Sequence, residues 1–407
     1  MVSKLYALAF LLFLTHNLFG QSESLKVFID CDCDRSYLRQ ELSYLNHVRD
    51  QDLSDVQIFV NAIRNGGGGA NYDITFRGRN EYEGAPRELS FSTTNTMSND
   101  EIRELLKKKI EQGILYYLLD TDLANRIEFI IPSDTVTIIN KTVEEDPWNN
   151  WIFEIGAQGN GDKESNRSSF RYEVDFEVDR VTEEWRLRGD AGFDRAEIKY
   201  QNDGDEFLSV RESYYLRGSV VKSINNHWSS GIFTGLNHNT YSNIGLATYI
   251  QPALEYNIFP YEEVIRREIT FAYKIGYLNN QYIERTIFDK VTEDVFRHSL
   301  SVNIRFRQPW GDIFASLLAR TFITDITKNR VALDSYLNIR IFKGLSLRLS
   351  ADFSLIRDQI NLPSGNASLE DILLQQKQIA TDFQIRGFVG LSYTFGSAFN
   401  NILNTRL

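Results

Sequence analysis

Beyond residue 148 the sequence carries long stretches in which apolar and polar side chains alternate one by one. In one of them Phe170, Tyr172, Val174, Phe176 and Val178 alternate with Arg171, Glu173, Asp175, Glu177 and Asp179. In another, Leu300, Val302, Ile304 and Phe306 alternate with Ser301, Asn303, Arg305 and Arg307. A third sets Leu345, Leu347, Leu349, Ala351, Phe353 and Leu355 against Ser346, Arg348, Ser350, Asp352 and Ser354. A period of two is a strand with one apolar face. A soluble sandwich alternates too, so strand length decides. These stretches reach the roughly 9–11 residues that a tilted strand needs to cross a bilayer. Helical spacing nearly vanishes between about residue 150 and residue 368.

The links between stretches carry the same message. Short ones are expected near 182–184, 225–227, 309–312 and 342–345, and longer ones near 159–168, 197–206, 282–296 and 356–381. Alternation of tight turns with long loops is the pattern of outer-membrane barrels. Two links fit it less well, at 241–246 and 259–267. About twelve strands are expected over residues 148–397, with residues 398–407 as a tail.

Residues 25–140 read differently. Tyr37, Leu38, Leu42, Leu45 and Val48 stand at helical spacing. A longer helix is expected after Ser98 or Asn99 as N-cap, with Ile102, Leu105, Leu106, Ile110, Leu115 and Leu118 as its buried stripe. Strands are expected around residues 25–30, 56–64, 71–78 and 88–94, and a closing one around 126–132. Helices on one face of a small, largely antiparallel sheet are the natural packing. The expected fold class is an α+β N-terminal domain followed by an antiparallel transmembrane β-barrel of about 12 strands.

The first residues have Lys4 ahead of the apolar run 5–14 and a small Gly20 before Gln21. That is the layout of a secretory signal peptide over residues 1–20. An outer-membrane location is expected, with the N-terminal domain in the periplasm. A net charge of −11 argues against a nucleic-acid partner. Aromatic residues make up 13% of the chain, which suits a membrane barrel.

The glycines 66–69 invite a phosphate-cradle reading. No Lys follows at the P-loop position, and alternating residues on both sides suggest a hairpin tip instead. Cys31 and Cys33 fall on one side of an extended chain, as a disulfide or as packed thiols. A metal site would need further ligands, so no metal or other cofactor is expected.

Near the end, Val389, Leu391, Tyr393 and Phe395 form an apolar, aromatic strand face. They resemble the insertion signal of outer-membrane barrels, which implies a barrel-insertion machinery and outer-membrane lipid as partners. The barrel half is similar to the salt-induced outer-membrane protein family. The stretch 28–60, with 66–78, resembles a periplasmic domain found fused to such barrels. The resemblance implies architecture and location, and no particular activity.

Three functions compete. In a narrow channel or transport-related barrel, Glu173, Asp175, Glu177, Asp179, Arg186, Arg188, Arg305, Arg307, Arg340 and Arg348 would line the lumen. The N-terminal domain would then dock a periplasmic protein partner. In a structural or adaptor protein the same charges would fill a non-conducting barrel. A hydrolase at the outer rim would have to use His238 or His298, and no nucleophile motif accompanies them; an enzyme is not expected. Within 362–380, Ser368 suits an N-cap, Asp371 the capping-box position, and Leu369, Ile372, Leu373 and Gln376 one side of a helix. This helix is expected to fold over the barrel mouth or to pack on neighbouring loops at the rim.

Overall fold

The computed structural model describes residues 24–65, 68–127, 148–202, 205–342, 344–365 and 377–396. The expected signal peptide, most of the strand at 126–132, the helix at 368–376 and the tail lie outside these residues. The chain divides into two compact units.

The first unit holds β1 (Lys26–Asp30), α1 (Arg35–Glu41), β2 (Asn46–His47), β3 (Val56–Arg64), β4 (Ala70–Gly78), β5 (Arg87–Ser92) and α2 (Asn99–Leu118). Its sheet runs in the order β2-β1-β3-β4-β5. β1 is parallel to both β2 and β3, whereas β4 and β5 are antiparallel, so the sheet is mixed rather than largely antiparallel. The helix expected through Val48 ends at Leu42. Beyond it the backbone pairs with β1 instead, with Asn46 N donating to Leu25 O and Val48 N to Val27 O, both at 2.9 Å. Leu42, Leu45 and Val48 are buried as expected, but by a non-local ladder rather than by a helix.

Ser98 caps α2 in a capping box with Glu101. The buried stripe of α2 is Leu106, Ile110, Gly113, Ile114, Tyr117 and Leu118, packed with Val56, Ile58, Ile74 and Phe76. Phe28, Val48 and Phe59 form a smaller cluster with Leu53. Cys31 and Cys33 are joined in a disulfide, and Cys31 belongs to the main core. The β3–β4 connection is a hairpin tip, where Asn65 N meets Gly69 O at 3.0 Å and Gly68 takes a positive φ of 69°. Only glycine adopts that conformation freely.

The second unit is a sheet of twelve consecutive antiparallel strands. They are β6 (Trp151–Lys163), β7 (Arg167–Val181), β8 (Trp185–Asn202), β9 (Asp205–Ser223), β10 (Trp228–Asn239), β11 (Ile244–Asn257), β12 (Arg267–Tyr282), β13 (Thr292–Gln308), β14 (Gly311–Phe322), β15 (Asp325–Phe342), β16 (Leu345–Ile356) and β17 (Phe383–Tyr393). Among the described residues no ladder joins β6 to β17, so the sheet has two free edges.

The expected long-short alternation of links holds only in part. The turns at 182–184 and 309–310 are tight and β16 starts at Leu345 soon after β15 ends at Phe342, whereas the loop at 283–291 is long and β17 starts at Phe383, far along the chain from the end of β16 at Ile356. The links expected to be long near 159–168 and 197–206 are short: a turn at 164–166 joins β6 to β7, and β9 begins at Asp205 after β8 ends at Asn202. β6 runs on past its apolar stretch through small and polar residues on both sides, and in β8 the apolar residues change face, Ala196, Ile198 and Tyr200 alternating with Arg195, Glu197 and Lys199, which hides both ends in the sequence. Conversely, 258–266 is long, although it lies at the end where the other links are tight.

Side chains of directly opposed residues share a face of a sheet. The register therefore sorts every strand into the same two faces. One face is apolar and solvent-open, with Ile232, Ile250, Leu254, Leu300 and Leu317 exposed along it. All five tryptophans of the chain, at 148, 151, 185, 228 and 310, gather at one end of the strands. At that end Arg180 lies over the Trp151 ring, Lys222 over the Trp185 ring, and Trp228 packs on Tyr256. Towards the other end the apolar face gives way to polar pairs. Arg195 meets Glu212 at 3.1 Å, and Asn279 and Tyr277 both donate to Asp294 at 2.6 Å.

Candidate functional site

The opposite face of the twelve-stranded sheet is polar and carries both signs throughout, with acids in excess on β6–β8, beside Arg171, Arg186 and Arg188, and bases in excess on β13–β16, beside Asp312, Asp334 and Asp352. Glu154 opposes Glu177, which opposes Asp190, while Glu173 lies between Gln158 and Asp194. These carboxylates, with Asp175 and Asp179, make β6–β8 an acidic wall. β13–β16 carry Arg297, Arg305, Arg307, Arg320, Arg330, Arg340 and Arg348 on the same face. All ten charged residues singled out from the sequence fall on this face by register.

Their partners differ. Arg188 pairs with Asp179 at 2.8 Å, and Arg305 with Glu268 at 3.3 Å. Gln158 donates to Glu173 at 2.8 Å. Arg340 donates to the Pro309 carbonyl at 2.8 Å, and Arg307 to the Ile265 carbonyl at 3.2 Å. These two guanidinium groups therefore pin turns at the tryptophan end. Nearer the middle, Arg217 reaches Asp190 at 2.7 Å and lies over the Tyr215 ring, and Lys274 sits over the Phe233 ring at 3.7 Å.

Both ends of the polar face are crossed by chain. At the tryptophan end, residues 258–266 fold back so that the Tyr261 hydroxyl donates to Glu255 at 3.0 Å. Burial pushes the Tyr261 pKa up to about 12, so it remains a donor at neutral pH. The backbone N–H of Tyr261 reaches the Asn226 carbonyl at 3.1 Å.

At the far end a strap leaves β16 and crosses to the β10–β11 turn. It comprises residues 357–365. Asp358, with 4% of its side chain exposed, accepts from Arg320 at 2.7 Å and from Arg330 at 2.9 Å. Ile360 packs with Leu278, Val295 and Phe322, all on the polar face of their strands, and with Tyr249. Asn361 donates to the Ser242 carbonyl at 2.8 Å, and Asn243 donates to the Asn361 carbonyl at 2.9 Å. Ile287 N bonds the Leu362 carbonyl and Ser364 N bonds the Arg285 carbonyl. The returning limb is tied down as well, through Gln378 N to the Tyr241 carbonyl and Lys377 to Glu284 at 3.1 Å. The helix expected to cover a mouth lies outside the described residues, but the segments flanking it do cross this end.

Asp358, Arg320 and Arg330 were not among the residues the sequence singled out. The hairpin would have revealed half of the arrangement. Arg320 and Arg330 are cross-strand partners about the tight turn at 323–324, so their alternation places them side by side.

His238 lies on the apolar face, stacked on Tyr214 with its Nδ1 2.8 Å from the Gly245 carbonyl. His298 lies on the same face, with its Nδ1 3.2 Å from the Tyr273 hydroxyl. His227 occupies a turn at the tryptophan end, its Nδ1 2.8 Å from the Asn257 carbonyl. Val389, Leu391 and Tyr393 all point to the apolar face of β17, and Phe395 follows the strand, highly exposed. No group of His, Cys, Asp and Glu suited to a metal occurs among the described residues.

No protein-family model matches the chain, and no curated protein matches it.

Proposed function

We propose that the twelve-stranded sheet closes edge to edge into an outer-membrane barrel, and that this barrel is a narrow solute channel held shut by the strap. The carrying observation is the division of the sheet: an apolar face bounded at one end by every tryptophan of the chain, and a polar face with acidic and basic walls. Tryptophan belts mark membrane interfaces. On β13 the apolar face runs from Phe306 to Phe296. Ten residues at about 3.4 Å each, tilted by about 45°, span about 24 Å, close to the apolar band of an outer-membrane barrel.

Closure follows from the edges. In hydrocarbon each unpaired N–H or C=O costs several kcal/mol, so open sheet edges do not persist there. An even strand number leaves β6 and β17 antiparallel, with Trp151 and Tyr393 at the same end, as a closing ladder requires. On this reading the acidic wall of β6–β8 faces the basic wall of β13–β16 across the lumen. The tryptophan end is periplasmic, as is the N-terminal unit, which docks a partner there. The resemblance to the salt-induced outer-membrane protein family points to the same architecture.

A second reading is favoured by Ile360, which together with Leu278, Val295 and Phe322 puts apolar packing inside the far end. On that reading the barrel is permanently filled and serves as an adaptor. Reconstitution in planar bilayers separates the two. The channel reading expects little conductance from the intact protein and clear conductance after deletion of residues 359–364. It also expects Arg348→Glu to shift the ion selectivity of the opened form. Arg348 suits this better than Arg340, whose reversal would also free a turn. Silence of the deleted form in a correctly inserted barrel selects the adaptor. Recovery of the protein from the soluble periplasm defeats both.

A further inference from the structure

The contact that fastens the strap has the geometry of a bound ligand. Arg320 and Arg330 stand directly opposite each other on β14 and β15. Like charges in that relation repel, and the arrangement needs an anion between them. Asp358 is that anion. Its Oδ2 accepts from Arg320 Nε at 2.7 Å and its Oδ1 from Arg330 Nε at 2.9 Å. Each oxygen of one carboxylate is thus held by a different guanidinium, the group best suited to carboxylate and phosphate oxygens alike. Arg297 stands on the adjacent strand β13, on the same face, two residues along from Ser299, which opposes Arg320. Among the described residues Arg297 makes no ion pair. Three guanidinium charges against one carboxylate leave the cluster under-neutralised.

We infer that Arg297, Arg320 and Arg330 form a binding site for a phosphate dianion carried by a solute, and that Asp358 is a tethered mimic which the solute displaces to release the strap. A dianion offers the same pair of oxygens as Asp358 and twice its charge. Apart from Asp358 the strap is held by Ile360 and Leu362 and by single hydrogen bonds to Asn329, the turn at 240–243, the loop at 283–291 and the returning limb at 378–381, none of them an ion pair. The inference rests on the strap reading given above, but its readout needs no conductance.

The test uses the full-length protein in lipid nanodiscs, with inorganic phosphate as probe. Amide hydrogen exchange of residues 357–365 is followed while phosphate replaces chloride at constant ionic strength and pH 7.5. The expected result is exchange faster by about tenfold in phosphate, within the usual range of coupling between sites. Arg330→Gln is expected to abolish the phosphate response and Arg330→Lys to retain part of it. Asp358→Asn is expected to speed exchange without phosphate. Ile360→Ser, which leaves every arginine in place, is expected to loosen the strap and tighten phosphate binding measured by equilibrium dialysis. That variant keeps the test decisive if Asp358→Asn does not fold. A last arm places a phosphate-bearing lipid in the nanodisc without free phosphate, and strap exchange is expected to stay slow. Equal exchange in phosphate and chloride overturns the inference, as does unchanged phosphate binding in Ile360→Ser. Release by the lipid alone overturns the assignment to a solute.

Discussion

Leu300 distinguishes a lipid-facing sheet from a solvated one. Its side chain is on the apolar face of β13 and 44% exposed, opposite Tyr273 and Ala319. It stands six residues from Phe306, the apolar residue nearest the tryptophan end of that strand. At about 3.4 Å per residue and a tilt of about 45° this is about 14 Å, half the depth of an apolar band about 25 Å tall. Leu300→Arg therefore puts a guanidinium near the midplane, where it costs about 2–4 kcal/mol. Leu208, also 49% exposed, opposes Lys199 close to the far tips of β8 and β9. Leu208→Arg should cost about 0–1 kcal/mol, the value near an interface. In a solvated sheet neither change would remove much packing, and both would be small. Reversible urea unfolding in phospholipid vesicles, followed by tryptophan fluorescence, gives the two values directly. A cost below about 1 kcal/mol at Leu300, equal to that at Leu208, would refute the lipid-facing assignment.

Two predictions concern the N-terminal unit. A Cβ at Gly113 would stand 2.1 Å from Cζ of the fully buried Phe76 ring. Overpacking of about 1–3 kcal/mol outweighs the roughly 1 kcal/mol by which a helix prefers Ala to Gly, so Gly113→Ala should speed exchange of the α2 amides. His47 is buried, with Nε2 3.1 Å from the Leu42 carbonyl, and burial lowers its pKa below the ordinary value. The folded state then binds the proton less readily than the unfolded one. Stability is full above about pH 6.5 and falls as the pH drops through the lowered folded pKa. Native-state hydrogen exchange of β1 and β2 at stepped pH should show the loss, and a His47→Gln variant should lack it.

What could be read in the sequence followed the range of the interactions. Alternation is a property of neighbouring residues, so the faces of β7, β13 and β16 were legible one residue at a time. The ends of β6 and β8 were less so, because β6 runs on through small and polar residues and the apolar residues of β8 change face beyond Phe193. The helix expected through Val48 failed because the ladder to β1 competes for the same backbone. The buried stripe of α2 was partly misplaced, with Ile114 and Tyr117 inside rather than Leu115, since Phe76 decides where the helix can approach. The strap was hidden for the same kind of reason. Asn361 is tied to Ser242 and Asn243, more than a hundred residues away in the chain. Only the register of the β14–β15 hairpin, which sets Arg320 against Arg330, was within reach.

Closure of the sheet in the membrane would bring its two edges together, and cysteine cross-linking between them reads that out. Ile155 on β6 and Val389 on β17 both point to the apolar face and are more than 70% exposed. A cysteine at 155 is combined in turn with one at 385, 387, 389 or 391, and outer membranes from cells making each protein are oxidised. An intramolecular cross-link is expected in at least one register, in a protein whose gel migration changes on heating. Failure to cross-link in every register, or cross-links formed only between molecules, would contradict closure.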